Sequence, residues 1–390
     1  MKKILFLSLF FYVWTTQQLV SYAINIDEGQ SNVFYVKTNS APVYDESGAV
    51  LGVIHKNQAY FYMVKTETCY YIEVENHLGC VSTASVVEGS TTFVEEKLER
   101  TGEMIYTTDF TQLTDLDGHV LYTSQPNRRH YAVAEDDTYY YVKLAGRTAL
   151  LQKVNTALDK GIPVLMYHHI VGPHDGRQSL TSAMITEAQF ASNVRALQEV
   201  GAQAITMDEL HAFLQGEKNL GKNAVVITFD DGLKSNIVYA YPLLQQAKMK
   251  ATNFVITSRV PTTTQPFDPH KLQSISQEEI AWSTDVFNYE GHTHQLHSQE
   301  EGSSLVVLQS RKSLKDDLLI SQSIVPQHYF AYPFGQFNEA TKQILTETGY
   351  RLAFTTKHGY VKYGDNSYEL KRIAIEPTTT EEQFRQYISY

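Results

Sequence analysis

Apolar residues are spaced differently in the two parts of the chain. From about residue 24 to residue 157, short runs alternate between apolar and polar residues, are rich in tyrosine, valine and threonine, and are separated by turn residues. Such alternation is typical of strands with one buried face. From Gly161 onward, continuous apolar runs such as 162–167 and 224–229 alternate with segments of helical periodicity. Continuous apolar strands are expected in a parallel sheet buried on both faces, so the pattern predicts an all-β region followed by an α/β region.

Three helix starts in the α/β region carry the sequence pattern of a capping box between apolar flanking residues. The pairs are Thr186 with Gln189, Thr206 with Glu209, and Ser276 with Glu279. Further strands are predicted at 252–256, 286–289, 328–332, 352–355 and 370–375, and a further helix at 339–348. This order predicts a distorted (β/α) barrel, complete or incomplete, with its chemistry on the loops that follow the strands.

The all-β region contains an ungapped internal repeat. A shift of 70 residues aligns Asp45 with Asp115, Gly48 with Gly118, Val50-Leu51 with Val120-Leu121, and Thr68, Tyr70 and Tyr71 with Thr138, Tyr140 and Tyr141. The two units resemble tandem bacterial Src-homology-3-like domains, which often bind cell-wall peptide or glycan in exported enzymes. The resemblance implies β-rich repeats at 24–90 and 91–157, ahead of a third domain at 158–390. Alternatively, the tyrosines only fill two small β-cores.

The N-terminal segment has the pattern of a secretory signal peptide at residues 1–23. Lys2 and Lys3 precede an apolar run at 4–14, and a polar stretch ends at Ala23. An uncleaved membrane anchor is the alternative, but this run falls short of the roughly 20 apolar residues that cross a bilayer. We therefore expect a secreted, extracellular protein that is associated with the cell wall.

Composition and charge exclude several classes of partner. With 43% hydrophobic and 19% charged residues, the chain is typical of a globular protein. The net charge of −11 argues against nucleic acid as a partner and leaves neutral glycans open. Cys69 and Cys80 form either a local disulfide, as export would favour, or two small buried hydrophobic residues. The sequence does not indicate an oligomeric state.

Two groups of polar residues follow predicted strands. Asp230 and Asp231, within Thr228-Phe229-Asp230-Asp231-Gly232, place two carboxylates side by side at a strand end, which a metal would stabilise. A simple turn and helix cap is the alternative. His292, His294 and His297 follow a later strand and add imidazole ligands. Together these oxygen and nitrogen ligands suit zinc or a related transition metal with open positions for water.

At these motifs, residues 160–376 resemble the polysaccharide deacetylases of carbohydrate esterase family four, the NodB-homology family. The resemblance implies that Asp230 is the general base and Asp231 a ligand of a divalent metal, most often zinc, with cobalt and nickel as alternatives. The usual second histidine position is Leu296 here, so His297 is the match. This longer spacing is similar to that of the poly-N-acetylglucosamine deacetylase branch and assigns His292 and His297 as ligands. His294 is then expected to face the substrate or to support the site.

The same resemblance assigns three further catalytic roles. In Phe330-Ala331-Tyr332-Pro333-Phe334-Gly335, the backbone N–H of Tyr332 is expected to hold the oxyanion. Arg372 is expected to replace the missing motif arginine beside Asp230. His168, at the end of the first barrel strand, is expected to be the general acid, although His169 stands where the pattern often has aspartate.

The expected function is metal-dependent removal of acetyl groups from N-acetylglucosamine glycans, with peptidoglycan, poly-N-acetylglucosamine and chitin oligomers as candidate substrates. A catalytically inactive glycan-binding envelope protein is the alternative. A glycosidase that uses Asp230 and Asp231 as its pair is excluded, because adjacent strand-end residues rarely hold their carboxyls about 5 Å or more apart across one sugar bond.

Overall fold

The computed structural model describes residues 32–75, 77–91, 103–173, 175 and 180–389, which form two compact units. The first unit holds the described residues up to 91 together with Thr107–Pro126 and Tyr131–Thr156. The second unit holds residues 103–106 and 127–130 and the described chain from residue 157. The predicted signal peptide lies outside the described residues. Within the described ranges, no helix has both the length and the apolar character needed to span a bilayer.

Parallel strands of the second unit close into a seven-stranded barrel, which confirms the predicted fold class. The strands are Ile162–Tyr167, Ala224–Phe229, Ala251–Val255, Phe287–Gly291, Tyr329–Ala331, Leu352–His358 and Leu370–Ala374. The first pairs with the second on one side and with the seventh on the other, so the ring of hydrogen bonds is complete. Every residue of the first two strands is buried, as their continuous apolar sequences predict.

Helices and short elements surround or connect these strands. The α-helices are Glu187–Glu199, Met207–Gln215, Tyr241–Ala247, Gln277–Trp282, Leu305–Leu308, Arg311–Ile324, Glu339–Glu347 and Glu381–Ile388. The short strands of this unit are His169–Val171, Met184–Thr186, Gln203–Ala204, Gln299–Glu300, Ser303–Ser304 and Tyr360–Val361. Asn236–Ala240 is a π-helix, and Thr257–Arg259 and Pro333–Gly335 are 3₁₀ turns.

The predicted helix caps are present, with one correction. Thr206 with Glu209 and Ser276 with Glu279 form complete capping boxes. Thr186 accepts a hydrogen bond from the Gln189 N–H, but the Gln189 side chain donates instead to the carbonyls of Glu376 and Thr379. The prediction of a capping box at Thr186 is therefore wrong, because a tertiary contact takes the side chain that would complete it.

Antiparallel strands make up the first unit, and the 70-residue repeat is visible in them. Equivalent strands are Ser40–Tyr44 and Thr111–Thr114, Val50–His55 and Val120–Ser124, Cys69–Val74 and Tyr139–Leu144, and His77–Ser82 and Arg147–Gln152. The remaining strands of this unit are Val33–Val36, Ala59–Phe61, Val64–Lys65 and Val86–Gly89, with 3₁₀ turns at Thr83–Ser85 and Lys153–Asn155. Three further strands contain residues of both units: Met104–Thr107, Arg129–Glu135 and Thr156–Leu158. Gly48 and Gly118 both adopt φ of 83°, which closes the same tight turn in each repeat.

One strand pairing joins the two repeats. Val50–His55 lies antiparallel to Val120–Ser124, and Val53 is opposite Thr123, its own equivalent in the other repeat. On either side, Gly52 pairs with Ser124 and Ile54 with Tyr122. The register is therefore that of a local two-fold axis between the repeats. The likeness to Src-homology-3 domains remains a prediction.

A disulfide joins Cys69 to Cys80 in the hairpin of the first repeat, with their Cα atoms 5.5 Å apart. Replacing both cysteines with alanine is expected to lower the unfolding free energy of the first unit by about 3 kcal/mol, because the cross-link of a short loop restricts the unfolded chain. Tyrosine circular dichroism during denaturant unfolding measures this loss. Fluorescence of Trp282, in the second unit, is the internal control and should not change. An unshifted tyrosine transition would contradict the prediction.

Candidate active site

The polar motifs converge at the carboxyl ends of the barrel strands. Asp230 and Asp231 follow the second strand, His292 and His297 follow the fourth, and His168 follows the first. In a parallel barrel all strand carboxyl ends meet at one face, so residues far apart in sequence become neighbours there.

A fully buried ion pair fixes the Asp230 carboxylate. Arg372 Nη1 donates to Asp230 Oδ1 at 2.7 Å, and Nη2 donates to Oδ2 at 2.8 Å. Arg372 Nε donates to the Thr355 carbonyl at 2.9 Å, which orients the guanidinium from the neighbouring strand. Burial by itself would raise the pKa of Asp230, but the guanidinium charge and its hydrogen bonds outweigh burial and hold this pKa below its ordinary value. The carboxylate is therefore ionised, immobile and oriented.

Asp231 faces two imidazoles. Its Oδ1 lies 3.2 Å from His297 Nε2 and 3.6 Å from His292 Nε2. Asp231 itself has φ of 75°, a left-handed conformation that is uncommon for residues other than glycine and turns its side chain away from the strand. Although burial would raise the pKa of Asp231, contact with His297 and His292 outweighs it and lowers this pKa.

These three residues fit a divalent metal. Their ligand atoms all lie within 4.8 Å of one another. Asp231 Oδ1 is buried and accepts no hydrogen bond from the described residues, although two imidazole nitrogens face it. His292 Nδ1 lies 2.7 Å from the Ala331 carbonyl, which fixes that nitrogen as the donor and leaves a lone pair on Nε2. Burial lowers the pKa of His292 to about 4, so this ring is neutral at pH 7, as a ligand must be.

His168 also approaches Asp230. Its Nε2 is 3.9 Å from Asp230 Oδ2, and about a quarter of the side chain is exposed. The neighbouring His169 is buried and directs Nδ1 toward Ser235 Oγ at 3.4 Å. His168 therefore reaches the candidate site, whereas His169 is buried beside Ser235.

The backbone N–H of Tyr332, which was predicted to hold the oxyanion, has a hydrogen-bond partner within the barrel. The Tyr332 N–H donates to the Phe354 carbonyl at 3.0 Å, as part of the barrel, and its hydroxyl donates to the Tyr368 carbonyl. The Phe334 side chain lies beside a candidate metal ligand. Its ring lies 4.9 Å from the His297 ring, it is 43% exposed, and its backbone has φ of 59°. The unusual Pro-Phe-Gly turn was the sequence signal for this residue.

A buried ion pair that the sequence did not indicate supports the Asp231 turn. Lys234 Nζ donates to Glu279 Oε1 at 2.6 Å, and both side chains are 5% exposed. Ile275 N–H donates to the Gly232 carbonyl at 2.9 Å. The turn after the second strand is thereby fastened to the segment that leads into the helix Gln277–Trp282.

Part of the second unit is similar to known proteins. Residues 217–353 match the family model described as Polysaccharide deacetylase. YxkH of Bacillus subtilis strain 168, which carries a provisional polysaccharide deacetylase name, is 28% identical over 65% of this chain and 81% of its own. The poly-beta-1,6-N-acetyl-D-glucosamine N-deacetylase of Staphylococcus aureus strain MSSA476 is 24% identical over 70% of this chain and 91% of its own.

A solved structure shares the fold. IcaB from Ammonifex degensii superposes with a TM-score of 0.52 and 24% identity, over 59% of this chain and 98% of its own. The family match and the shared fold both fall on the barrel, where the candidate active site lies. The chain is thus similar to polysaccharide deacetylases over part of the second unit, and it shares the fold of one solved structure.

Proposed function

We propose that this protein is a secreted, metal-dependent N-deacetylase that converts N-acetylglucosamine residues of a glycan to glucosamine and acetate. The observation that carries the proposal is the cluster of Asp231, His292 and His297 beside a separately braced, ionised Asp230. Three protein ligands that leave positions open are typical of catalytic rather than structural metal sites. A carboxylate outside that ligand set is available to move protons.

Asp231, His292 and His297 would hold the metal, with zinc the first choice and cobalt or nickel as alternatives. When bound, the metal would polarise the acetyl carbonyl and lower the pKa of a water at the site. Asp230 would accept a proton from the attacking water. Because Arg372 keeps the pKa of Asp230 low, this base is ionised over the whole neutral range, and because its two oxygens are fixed it loses little freedom in the reaction.

The leaving group and the oxyanion need two further donors. We assign the proton for the departing nitrogen to His168 Nε2, whose position near Asp230 Oδ2 puts both proton-transfer groups at one edge of the ligand cluster. For the oxyanion we assign the backbone N–H of Phe334 in place of Tyr332, since the Phe334 ring packs against the ligand His297. His168 directly follows the first barrel strand, and Phe334 lies in the turn Pro333–Gly335.

The substrate follows from the acetyl-amide chemistry and from the named relatives. Similarity to a poly-beta-1,6-N-acetyl-D-glucosamine N-deacetylase supports a polymer of N-acetylglucosamine, and the net charge of −11 does not oppose a neutral glycan. Peptidoglycan is the other candidate, and the first unit is proposed to bind cell wall. An extracellular location, with residues 1–23 as the signal peptide, completes the proposal.

Acetate release tests the function. Residues 24–390 are expected to release acetate from N-acetylglucosamine oligomers or from peptidoglycan, to stop in the presence of a chelator, and to resume when zinc or cobalt is restored. Fully deacetylated glucosamine oligomers are the matched substrate control and should yield none. If no acetate appears with metal restored, the deacetylase is rejected in favour of a glycan-binding envelope protein.

A further inference from the structure

The loop between the two histidine ligands is held in an unfavourable conformation. His292 and His297 enclose Thr293, which is fully buried and has φ of 71°. A β-branched residue with positive φ is a genuine outlier and persists only where surrounding contacts impose it. The residues that make those contacts therefore determine the spacing of His292 and His297.

Asp317 supplies the main contact. Its Oδ2 accepts the His294 N–H at 2.7 Å, and its Oδ1 accepts the Gln295 N–H at 2.7 Å. Asp317 is 7% exposed and lies on the helix Arg311–Ile324. Both carboxylate oxygens are therefore used to fix two successive peptide units in the middle of the ligand loop. Hydrogen bonds to an ionised acceptor are about twice as strong as neutral ones.

A second contact comes from the same face of that helix, one turn later. Thr257 Oγ1 donates to Ser321 Oγ at 3.1 Å and lies 3.0 Å from His294 Nδ1, while the Thr257 N–H donates to the Thr293 carbonyl at 3.1 Å. Asp317 and Ser321, four residues apart, thus both restrain the loop, the first directly and the second through Thr257. The contact of the His294 ring with Thr257 explains why His294 is not in the ligand cluster.

We propose that Asp317 is the principal positioning residue of the metal site, assisted by Ser321 through Thr257. The inference rests on the proposed metal function, because it concerns how tightly that metal is bound. Four residues lie between His292 and His297, and a loop of this length has many conformations in which the two imidazoles do not converge on Asp231. Fixing the peptide units of His294 and Gln295 removes most of them before a metal arrives, which strengthens binding without any direct contact.

Metal affinity tests the inference. In Asp317→Asn the side chain keeps one acceptor oxygen and turns its amide NH₂ group, which can only donate, toward the second peptide N–H, so one of the two hydrogen bonds is lost. We expect zinc affinity, measured by competition with a chromophoric chelator, to fall about 10-fold to 100-fold. Acetate release at saturating zinc should recover to within a fewfold of the unaltered protein, because the catalytic groups are unchanged.

Asp316→Asn is the matched control. Asp316 is the neighbouring carboxylate on the same helix, about half exposed, and paired with Lys312 at the surface. This substitution removes the same charge and should leave zinc affinity unchanged. Equal zinc affinity in Asp317→Asn and Asp316→Asn would overturn the inference.

A second variant covers the case in which Asp317→Asn fails to fold. Ser321→Ala changes no charge and should weaken zinc binding about threefold to tenfold, the effect of one hydrogen bond. Amide hydrogen exchange of His294 and Gln295 in metal-free protein should accelerate in Asp317→Asn and not in Asp316→Asn. Unaltered protein that binds no zinc would refute the proposed function itself, whereas zinc binding that neither Asp317→Asn nor Ser321→Ala weakens would refute only the positioning role.

Discussion

Asp230→Asn is expected to reduce acetate release by about 10²-fold to 10⁴-fold, the usual contribution of a positioned general base. An amide has the shape of the carboxylate but cannot accept a proton from water. Asp230 is not in the ligand cluster, so zinc affinity should stay within a fewfold of the unaltered protein. Rates at saturating metal and substrate, together with metal titration of the same preparation, separate loss of the base from loss of the metal.

Asp230→Asn is also expected to change the stability of the protein, so its stability must be measured. Arg372 has no measurable exposure, and the substitution leaves its charge facing a neutral amide. Thermal unfolding of Asp230→Asn therefore belongs beside the kinetic assay, at a temperature where both proteins are folded. Acetate release within tenfold of the unaltered rate would show that another group accepts the proton.

Arg372→Met is expected to lower the unfolding free energy of the second unit by about 3–5 kcal/mol, because it leaves Asp230 as an uncompensated buried charge. Lys371→Met is the matched control. Lys371 is the adjacent cation on the same strand but is exposed, so its loss should cost less than about 0.5 kcal/mol. Denaturant unfolding followed by Trp282 fluorescence measures both.

Arg372→Met is also expected to change how activity depends on pH, because it changes the pKa of Asp230. In the unaltered protein the folded pKa of Asp230 is lowered, so its ionisation stabilises the fold above the unfolded pKa of about 3.9 and that stabilisation is lost as the pH falls through the folded pKa. Without the guanidinium, burial acts with less opposition and raises the pKa of Asp230. The acidic limb of the activity profile should then move to higher pH in Arg372→Met. An unmoved limb would show that another group sets it.

The barrel and the candidate ligand motifs could be predicted from the sequence because each depends on contiguous residues. The strand Ala224–Phe229 is a continuous apolar run, and Asp230 and Asp231 follow it directly, so strand end and motif could be read together. The histidines of 292–297 could also be recognised together, because they are close in sequence within one short loop. Arg372 is 142 positions from Asp230 along the chain, and only its place at the end of the last predicted strand indicated that the two would meet.

The features that sequence analysis missed depend on tertiary context. The helix Arg311–Ile324 was not predicted, although Ser310 caps it and Leu314 and Leu318 are buried, because exposed Leu319 and Ile320 obscure its apolar face. From the sequence alone, Asp317 cannot be distinguished from the surface charges around it. Its role is visible only when the helix is placed against the histidine loop. Tyr332 was chosen for the oxyanion by motif position, and only the strand pairing shows that its N–H is already used by Phe354.

The register that places Val53 opposite Thr123 bears on how the first unit folds. Because the repeats share a strand ladder, neither has a complete sheet without the other. Separating them would expose the backbone donors and acceptors of Val50–His55 as an open edge, which is a template for self-association. The two repeats are therefore halves of one cooperative folding unit and not independently folding domains. A substitution that destabilises one repeat is expected to destabilise the other as well.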